Sequence, residues 1–274
     1  MIHRHFFLLV FLPFLSNGQT AFSLRDKDTN EPVPYATVWK DDRIITSSDS
    51  LGTFIINTVD EKPVYKITTV NYKTAIAVLL DKNTITLEKK AIPLKEVTIR
   101  KESKGKVIKL GSLKNANLDL NASMENKDSG IAKYFPNSSG KQLYLDKVRF
   151  KTYSDIKNTI AAISLYSVGK DGEPDGLINT ENIICKIKMG YRTNEIDLSP
   201  FDIFMPNEGV FISVDHLFLE QNRHYSPTNK KWFFYRPGIC ARLTDQYIDS
   251  WYADDGVWKK ANGYSLSFQL ILKE

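Results

Sequence analysis

The sequence predicts an all-β chain folded as two successive β-sandwiches, a small one and then a larger one. Three observations carry this expectation. Apolar residues alternate or run in short blocks rich in Val, Ile, Thr, Tyr and Phe; turn-forming clusters interrupt them about every ten residues; and helical periodicity is nearly absent. Hydrophobic residues make up 42% and charged residues 25%, a balance that fills a sizeable core and is too apolar for a disordered chain.

The chain begins with a segment that does not belong to either sandwich. Arg4 precedes the apolar run 6–15, which is followed by Ser16, Asn17 and Gly18, with small residues at the first and third of these positions. A charged start, a short apolar stretch and a small-x-small site form a secretory signal peptide over residues 1–18. The run is too short to cross a bilayer, which needs roughly 20 residues. No cysteine follows it, which argues against a lipid anchor of the bacterial type. The expectation is an exported protein, periplasmic, cell-surface or secreted, with no transmembrane segment after signal removal. Loss of the segment takes away one arginine and lowers the formal charge from +5 to +4. Lys and Arg are interspersed with Asp and Glu, so no basic stripe of the kind that binds nucleic acid is present.

The first sandwich is expected over residues 19–100. Strands are read at 21–25, 35–40, 43–48, 53–57, 64–70, 72–80, 84–88 and 94–100. Turn chemistry separates them at 26–34, at Asp41-Asp42, at Asp49-Ser50-Leu51-Gly52 and at Asp81-Lys82-Asn83. Seven or eight short strands in this length are enough for two packed sheets.

Several stretches of this segment resemble a known family. Asp28-Thr29-Asn30-Glu31-Pro32-Val33-Pro34-Tyr35-Ala36-Thr37-Val38 is similar to the opening of the bacterial carboxypeptidase regulatory-like domain. Ser48-Asp49-Ser50-Leu51-Gly52-Thr53-Phe54 resembles its central turn, Tyr72-Lys73-Thr74 the strand start that follows, and Ile85-Thr86-Leu87 and Leu94-Lys95-Glu96-Val97 its closing strands. Order and spacing agree over about 80 residues, under a third of the chain. The resemblance implies a transthyretin-like accessory module, not a peptidase. The family's glycine before the tyrosine is replaced by Asn71, the residue that best tolerates a left-handed backbone after glycine. The family's first-strand glycine is also absent.

A charged linker is placed at 101–104, and residues 105–274 form the second unit. Residues 115–140 are rich in Asn, Ser and Asp and read as loop apart from one strand at 131–135. Further strands are read at 143–153, 160–168, 183–189, 194–198, 209–217, 231–235, 239–243, 257–260 and 264–272. This density suggests a jelly-roll-like β-sandwich, although an immunoglobulin-like topology fits the same pattern. The whole region is diffusely similar to the C-terminal β-sandwich of small secreted proteins that carry the N-terminal module.

The search for chemistry yields no reaction. Zinc catalysis needs about three protein ligands and an open position. His216 and His224 are the two histidines of the expected mature chain, and Glu220 lies midway between them; the strand is expected to end near Gln221, which breaks the register that would bring them together. Cys185 and Cys240 sit in apolar strand-like runs, where either two buried thiols or a disulfide is compatible with export. There is no Gly-x-Ser-x-Gly elbow, phosphate loop or dinucleotide fingerprint. Asp171, Glu173 and Asp175 alternate before Gly176 like the start of a calcium loop, but Pro174 interrupts and Asn182 stands where a late glutamate is needed. An acidic hairpin loop is the simpler reading, with weak calcium binding as the alternative, and no other cofactor is expected.

The aromatics are unevenly placed. Trp232, Phe233, Phe234, Tyr235, Tyr247, Trp251, Tyr252, Trp258 and Tyr264 crowd the end of the chain, beside Asp249, Asp254, Asp255 and Asn262. Alternate rings filling a core explain most of them. The functional alternative is a ligand platform made of Trp232, Trp251, Tyr252 and Trp258. The resulting expectation is a non-catalytic binding or structural protein of the bacterial cell envelope whose partner is an envelope protein or a glycan. A carbohydrate-binding protein using the C-terminal aromatics is the alternative, and an unrecognised hydrolase stands behind it.

Overall fold

The computed structural model describes residues 19–57, 64–78, 83–91, 106–114, 116–123, 130–140, 142–229, 231–245, 247–254 and 257–274. The expected signal peptide, the strand read at 94–100 and the linker at 101–104 lie outside the described residues. Within them the chain is all-β, its sheets packed as sandwiches, and the helical pieces are two three-residue turns, Ser199–Phe201 and Glu220–Asn222. No helix of the described residues is long and apolar enough to cross a membrane.

The first sandwich is built from β1 (Gln19–Asp26), β2 (Thr37–Lys40), β3 (Arg43–Ser47), β4 (Thr53–Asn57), β5 (Val64–Thr68), β6 (Ala75–Val78) and β7 (Thr84–Leu87). One sheet has the order β4-β1-β7 and the other β3-β2-β5-β6. Alternation along the strands sends Phe22 and Leu24 of β1, Val38 of β2, Phe54 of β4, Tyr65 and Ile67 of β5 and Leu87 of β7 into one core. Phe22 and Phe54, paired across β1 and β4, stack with ring centres 5.5 Å apart.

Turn residues fix the connections. The Asp49 carboxylate accepts the backbone N–H groups of Leu51 and Thr53, at 2.9 and 2.8 Å. Gly52 has φ 71°, and a Cβ there would lie 2.8 Å from the Leu24 carbonyl, so both backbone conformation and space require glycine. Asn71 has φ 68°, the left-handed conformation expected of it. Next to it, the Tyr72 hydroxyl donates to Asp26 at 2.8 Å, tying the two sheets together.

The second sandwich comprises β8 (Val107–Gly111), β9 (Leu118–Ser123), β10 (Ile131–Phe135), β11 (Tyr144–Ser154), β12 (Ile160–Val168), β13 (Pro174–Leu177), β14 (Ile183–Lys186), β15 (Gly190–Asp197), β16 (Val210–His216), β17 (Arg223–Tyr225), β18 (Phe233–Leu243), β19 (Ser250–Asp254), β20 (Val257–Lys260), β21 (Tyr264–Leu266) and β22 (Phe268–Lys273). One sheet runs β13-β12-β16-β10-β19-β20, with β14 also on β12. The facing sheet runs β17-β18-β11-β22-β8, with β15 on β11 and with β9 and β21 on β18. Phe150, Ile163, Leu165, Ile212, Val214, Ile239, Phe268 and Leu270 fill the space between them. The Lys133 ammonium crosses this interior to Asp249 at 2.7 Å, Ser265 at 3.0 Å and the Leu266 carbonyl at 2.8 Å. A buried charge is tolerable only with such a full set of partners.

Several elements differ from the sequence reading: β8, β13, β17 and β19 are strands that it does not contain, and the single strand expected at 264–272 is divided into β21 and β22. Residues 118–123, read as loop, form strand β9, and the segments read separately at 231–235 and 239–243 belong to one strand, β18. The pairing of β18 with β9 shifts register between Tyr235 and Ile239, around Pro237, which has no N–H to give to the ladder. The acidic segment at 171–176 is the hairpin joining β12 to β13: Glu173 folds back to accept the Asp171 N–H at 2.9 Å.

The small sandwich is seated on the large one through side chains and backbone. The Ser47 N–H donates to the Phe218 carbonyl at 3.1 Å, and the Phe218 N–H donates to the Ser47 hydroxyl oxygen at 3.0 Å. Ile44, Phe218 and Tyr235 form a shared apolar cluster with Trp39 and Phe233 against it; Tyr35 packs on a second cluster of Ile160, Leu217 and Leu219. The Asn182 amide donates to the Pro34 carbonyl at 3.1 Å.

Candidate functional site

A cleft of about 340 Å³ lies beside this junction, with walls from both sandwiches. That volume falls at the lower end of small-molecule sites, roughly 300–1,000 Å³. The first sandwich contributes Tyr35, Thr37, Trp39, Thr68, Thr69 and Val70. The second contributes chiefly Ala162, Ser164, Tyr166, Asp215 and Trp258.

The alternation of two neighbouring strands builds the second wall. On β16, Val210, Ile212 and Val214 enter the core, so Phe211, Ser213 and Asp215 occupy the opposite face. On β12, Ala161, Ile163 and Leu165 enter the core, so Ala162, Ser164 and Tyr166 share that outer face. The register pairs Ser164 with Ser213 and Ala162 with Asp215. Asp215 therefore has one serine two residues back along its own strand and one diagonally across, and both hydroxyls donate to it, Ser213 to one carboxylate oxygen and Ser164 to the other.

Asp215 is half-buried. Burial pushes its carboxyl up to about 6, against the two hydroxyl donors that favour the ionised form. Among the described residues lining the cleft it is the one carboxylate, and none of them is Lys or Arg. The cleft therefore lacks the paired carboxylates of a glycoside hydrolase among its described residues. The serine hydroxyls donate to a carboxylate and are not oriented by an imidazole, because the His216 ring points to the other side of the sheet, its Nε2 2.8 Å from the Pro237 carbonyl oxygen.

The indoles are held by close packing. Trp39 Nε1 donates to Thr68 Oγ1 at 2.8 Å, and the Lys66 ammonium lies 4.7 Å from the Trp39 ring centre. Trp258 packs edge-on against Tyr166, with ring centres 5.4 Å apart. Its ring also lies on Gly130, where a Cβ would come within 2.7 Å of the indole. Gly130 thus sets the position of Trp258 by having no side chain. The Thr69 hydroxyl oxygen is buried with no hydrogen-bond partner among the described residues.

The four aromatics expected to form one platform do not share a surface. Trp232 is 66% exposed in the hairpin between β17 and β18, on the other sheet of the large sandwich. Trp251 is 5% exposed, packed edge-on against Phe211 and hydrogen-bonded to the Tyr247 hydroxyl at 2.7 Å. Tyr252, 37% exposed, follows Trp251 in the strand and points to the opposite face. Trp258 alone of the four lines the cleft. The period of two separates Tyr252 from Trp251, the sheet to which it belongs separates Trp232, and Trp251 shares a face and a cluster with Trp258 but is covered there. Trp39, Ser164, Ser213 and Asp215 escaped the sequence reading because Trp39 stands over 200 positions from Trp258 and the others are ordinary strand residues.

The remaining candidates do not converge. His216 closes β16 and enters the sandwich; Glu220 pairs with Arg223 at 2.6 Å; the His224 Nδ1 lies 2.9 Å from Asp155. Among the described residues no group of three or more His, Cys, Asp or Glu is placed to hold a metal ion. Cys185 lies in the inter-sheet core, whereas Cys240, between the core residues Ile239 and Ala241, faces outward to Asp119 at 3.4 Å. Both are free thiols.

No family model matches the chain, and no curated protein sequence does. Among solved structures, it is similar to the cysteine protease and lectin-like domains of Cwp84, a surface layer associated protein of Clostridium difficile. That match is at 13% identity over 87% of this chain and 45% of that one, with a TM-score of 0.39. A second likeness, at 11% identity, is to the infectious bursal disease virus Gx strain, over 93% of this chain and 55% of that one, with a TM-score of 0.26. The chain spans about half the length of each. Likeness at this level carries no argument about function.

Proposed function

We propose that this protein is a non-catalytic, exported binding protein of the bacterial cell envelope, and that the cleft between its two sandwiches is the recognition site. The observation that carries the reading is that neither sandwich forms the cleft alone: Trp39 and Thr69 come from one and Asp215 and Trp258 from the other. Sites at domain boundaries with a few polar groups among aromatic walls are the usual setting for ligand recognition. On this reading the N-terminal sandwich is the carboxypeptidase regulatory-like module that the sequence resembles, and it acts as one half of a binding site and not as a spacer.

Co-sedimentation tests it. The purified full chain, mixed with insoluble cell-envelope material from bacteria, is expected to pellet with it. The double variant Trp39→Ala/Trp258→Ala is expected to remain in the supernatant while melting cooperatively. Equal pelleting of the two proteins, or no pelleting of the wild type, would overturn the reading.

A further inference from the structure

We infer that the ligand of this cleft is a neutral saccharide, with a sugar ring against the Trp39 or Trp258 indole and hydroxyls bonded to Asp215 and Thr69. The inference rests on the reading of the cleft as the recognition site and deepens it.

Four properties of the lining select this chemistry. The first is the mixture of groups. Two indoles and the rings of Tyr35 and Tyr166 supply apolar faces, while Thr37, Thr68, Thr69, Ser164 and Asn182 supply hydroxyls and an amide. A pyranose has the complementary construction, with C–H faces above and below and hydroxyls around the edge.

The second is charge. With no Lys or Arg among the described lining residues, and with the His216 ring turned away to the Pro237 carbonyl, an anionic ligand would meet an acidic cleft and no compensating cation. A cationic ligand suits Asp215 but competes with Lys66, whose ammonium already lies over Trp39. An apolar ligand would cover Asp215 and leave its remaining acceptor sites without donors. A neutral polyol satisfies the carboxylate without adding charge.

The third is the backbone. β12 is paired on one side with β13 and β14 and on the other with β16, and β16 is paired with β12 and β10. This wall of the cleft is therefore a sheet face and not a sheet edge. An extended peptide gains affinity by adding to an unpaired edge, and β12 and β16, which carry Ser164 and Asp215, offer none.

The fourth is the buried Thr69 hydroxyl. It has no partner among the described residues, and it sits in the same lining as Asp215. The oxygen is sealed from solvent in the free protein, so a ligand hydroxyl reaches it only with a small shift of the lining, and then returns the free energy lost by burying it unpaired.

The test uses the full chain and a panel of neutral oligosaccharides: glucose, galactose, mannose, xylose and N-acetylglucosamine oligomers, titrated by tryptophan fluorescence and calorimetry. At least one series is expected to bind. Trp258→Ala and Trp39→Ala are each expected to weaken it about tenfold or more, as for a central aromatic anchor. Gly130→Ala, which retains the indole but displaces it, is expected to weaken binding as well; it keeps the test decisive if either tryptophan variant fails to fold. Trp232→Ala, on the other sheet, is expected to leave binding unchanged. Failure of the whole panel with continued pelleting on envelope material would overturn the saccharide assignment and leave the cleft reading standing. Binding lost in Trp232→Ala and kept in the cleft variants would overturn both.

Discussion

Ser47 and Phe218 exchange two hydrogen bonds across the junction of the sandwiches, N–H to carbonyl at 3.1 Å and N–H to hydroxyl at 3.0 Å. The pair is short-range in space and 171 residues apart in sequence. Because the cleft has walls from both sides of this junction, its geometry depends on that pair and on the Phe218 ring, which fills the Ile44–Tyr235 cluster.

Phe218→Ala is therefore expected to loosen the whole junction. Truncating a buried phenylalanine costs about 3–5 kcal/mol when the site cannot collapse. In calorimetry the loss should appear as a lowered or split melting transition, and limited proteolysis should cut between the sandwiches faster than in the wild type. A single transition displaced by less than about 1 kcal/mol would show that the two halves are held some other way.

Asp215 gives a pH signature with a fixed sign. Its folded-state carboxyl titrates at about 6, above the ordinary value near 4, so the folded protein binds this proton more tightly than the unfolded chain. Its contribution to stability is full below about pH 4, falls as the pH rises towards 6, and is level above that. The difference is at most about 3 kcal/mol, less to the extent that water in the cleft screens the charge. Asp215→Asn removes the titration. The variant should gain on the wild type between pH 4 and 6 and hold that gain at pH 7.5. A gap between the two melting curves that does not change with pH would refute the assignment.

How much of this was legible in the sequence follows from the period of two. Strands at 53–57, 160–168 and 257–260 stand where the alternation placed them. Strand β9 was missed because Leu-Asp-Leu-Asn-Ala-Ser is poor in strand formers. Its Leu118 and Leu120 nevertheless pack on the core, and its polar partners bind outward: Asp119 receives the Tyr191 hydroxyl at 2.8 Å and Asn121 the Arg236 guanidinium at 3.0 Å. Tertiary pairing overrides a weak local preference there. The cleft was illegible for another reason. The aromatics crowded near the C-terminus include neighbours, Trp251 and Tyr252, that the pleat sends to opposite faces, while the indole that lines the cleft with Trp258 comes from the other sandwich.

Asp26 makes the opposite prediction from Asp215. It accepts the Thr29 N–H first of all, then the Tyr72 hydroxyl, with Lys89 and the Asp28 N–H adding to them, and these hold its carboxyl well below the usual range. Stability from this group is present above about pH 4 and is lost as the solution is acidified below that. Tyr72→Phe removes one donor to the ionised form. The variant should melt below the wild type at pH 7, and the two should converge in acid. Melting curves that remain equally separated down to pH 2 would mean that the hydroxyl acts by packing and not by stabilising the charge.

The thiols supply a readout of global opening. Desolvation pushes Cys185 up to about 11 and Cys240 up to about 12, the neighbouring Asp119 carboxylate adding to the rise of the latter. Thiolate is the reacting species, so burial makes both groups unreactive at neutral pH in two ways, by blocking access and by holding the proton on sulfur. An aromatic disulfide reagent at pH 7.5 should label neither in the folded chain and both after denaturation. Between those limits the labelling rate should follow the denaturant dependence of unfolding. Cys185 sits inside the large sandwich and Cys240 outside one of its sheets, under the Asp119 and Tyr191 layer. If Cys240 reacts first while Cys185 stays protected, strand β9 and its neighbours open as a unit separate from the core. If the two react together, the sandwich opens as one. Labelling of either thiol in the undisturbed protein would contradict the packing described for it.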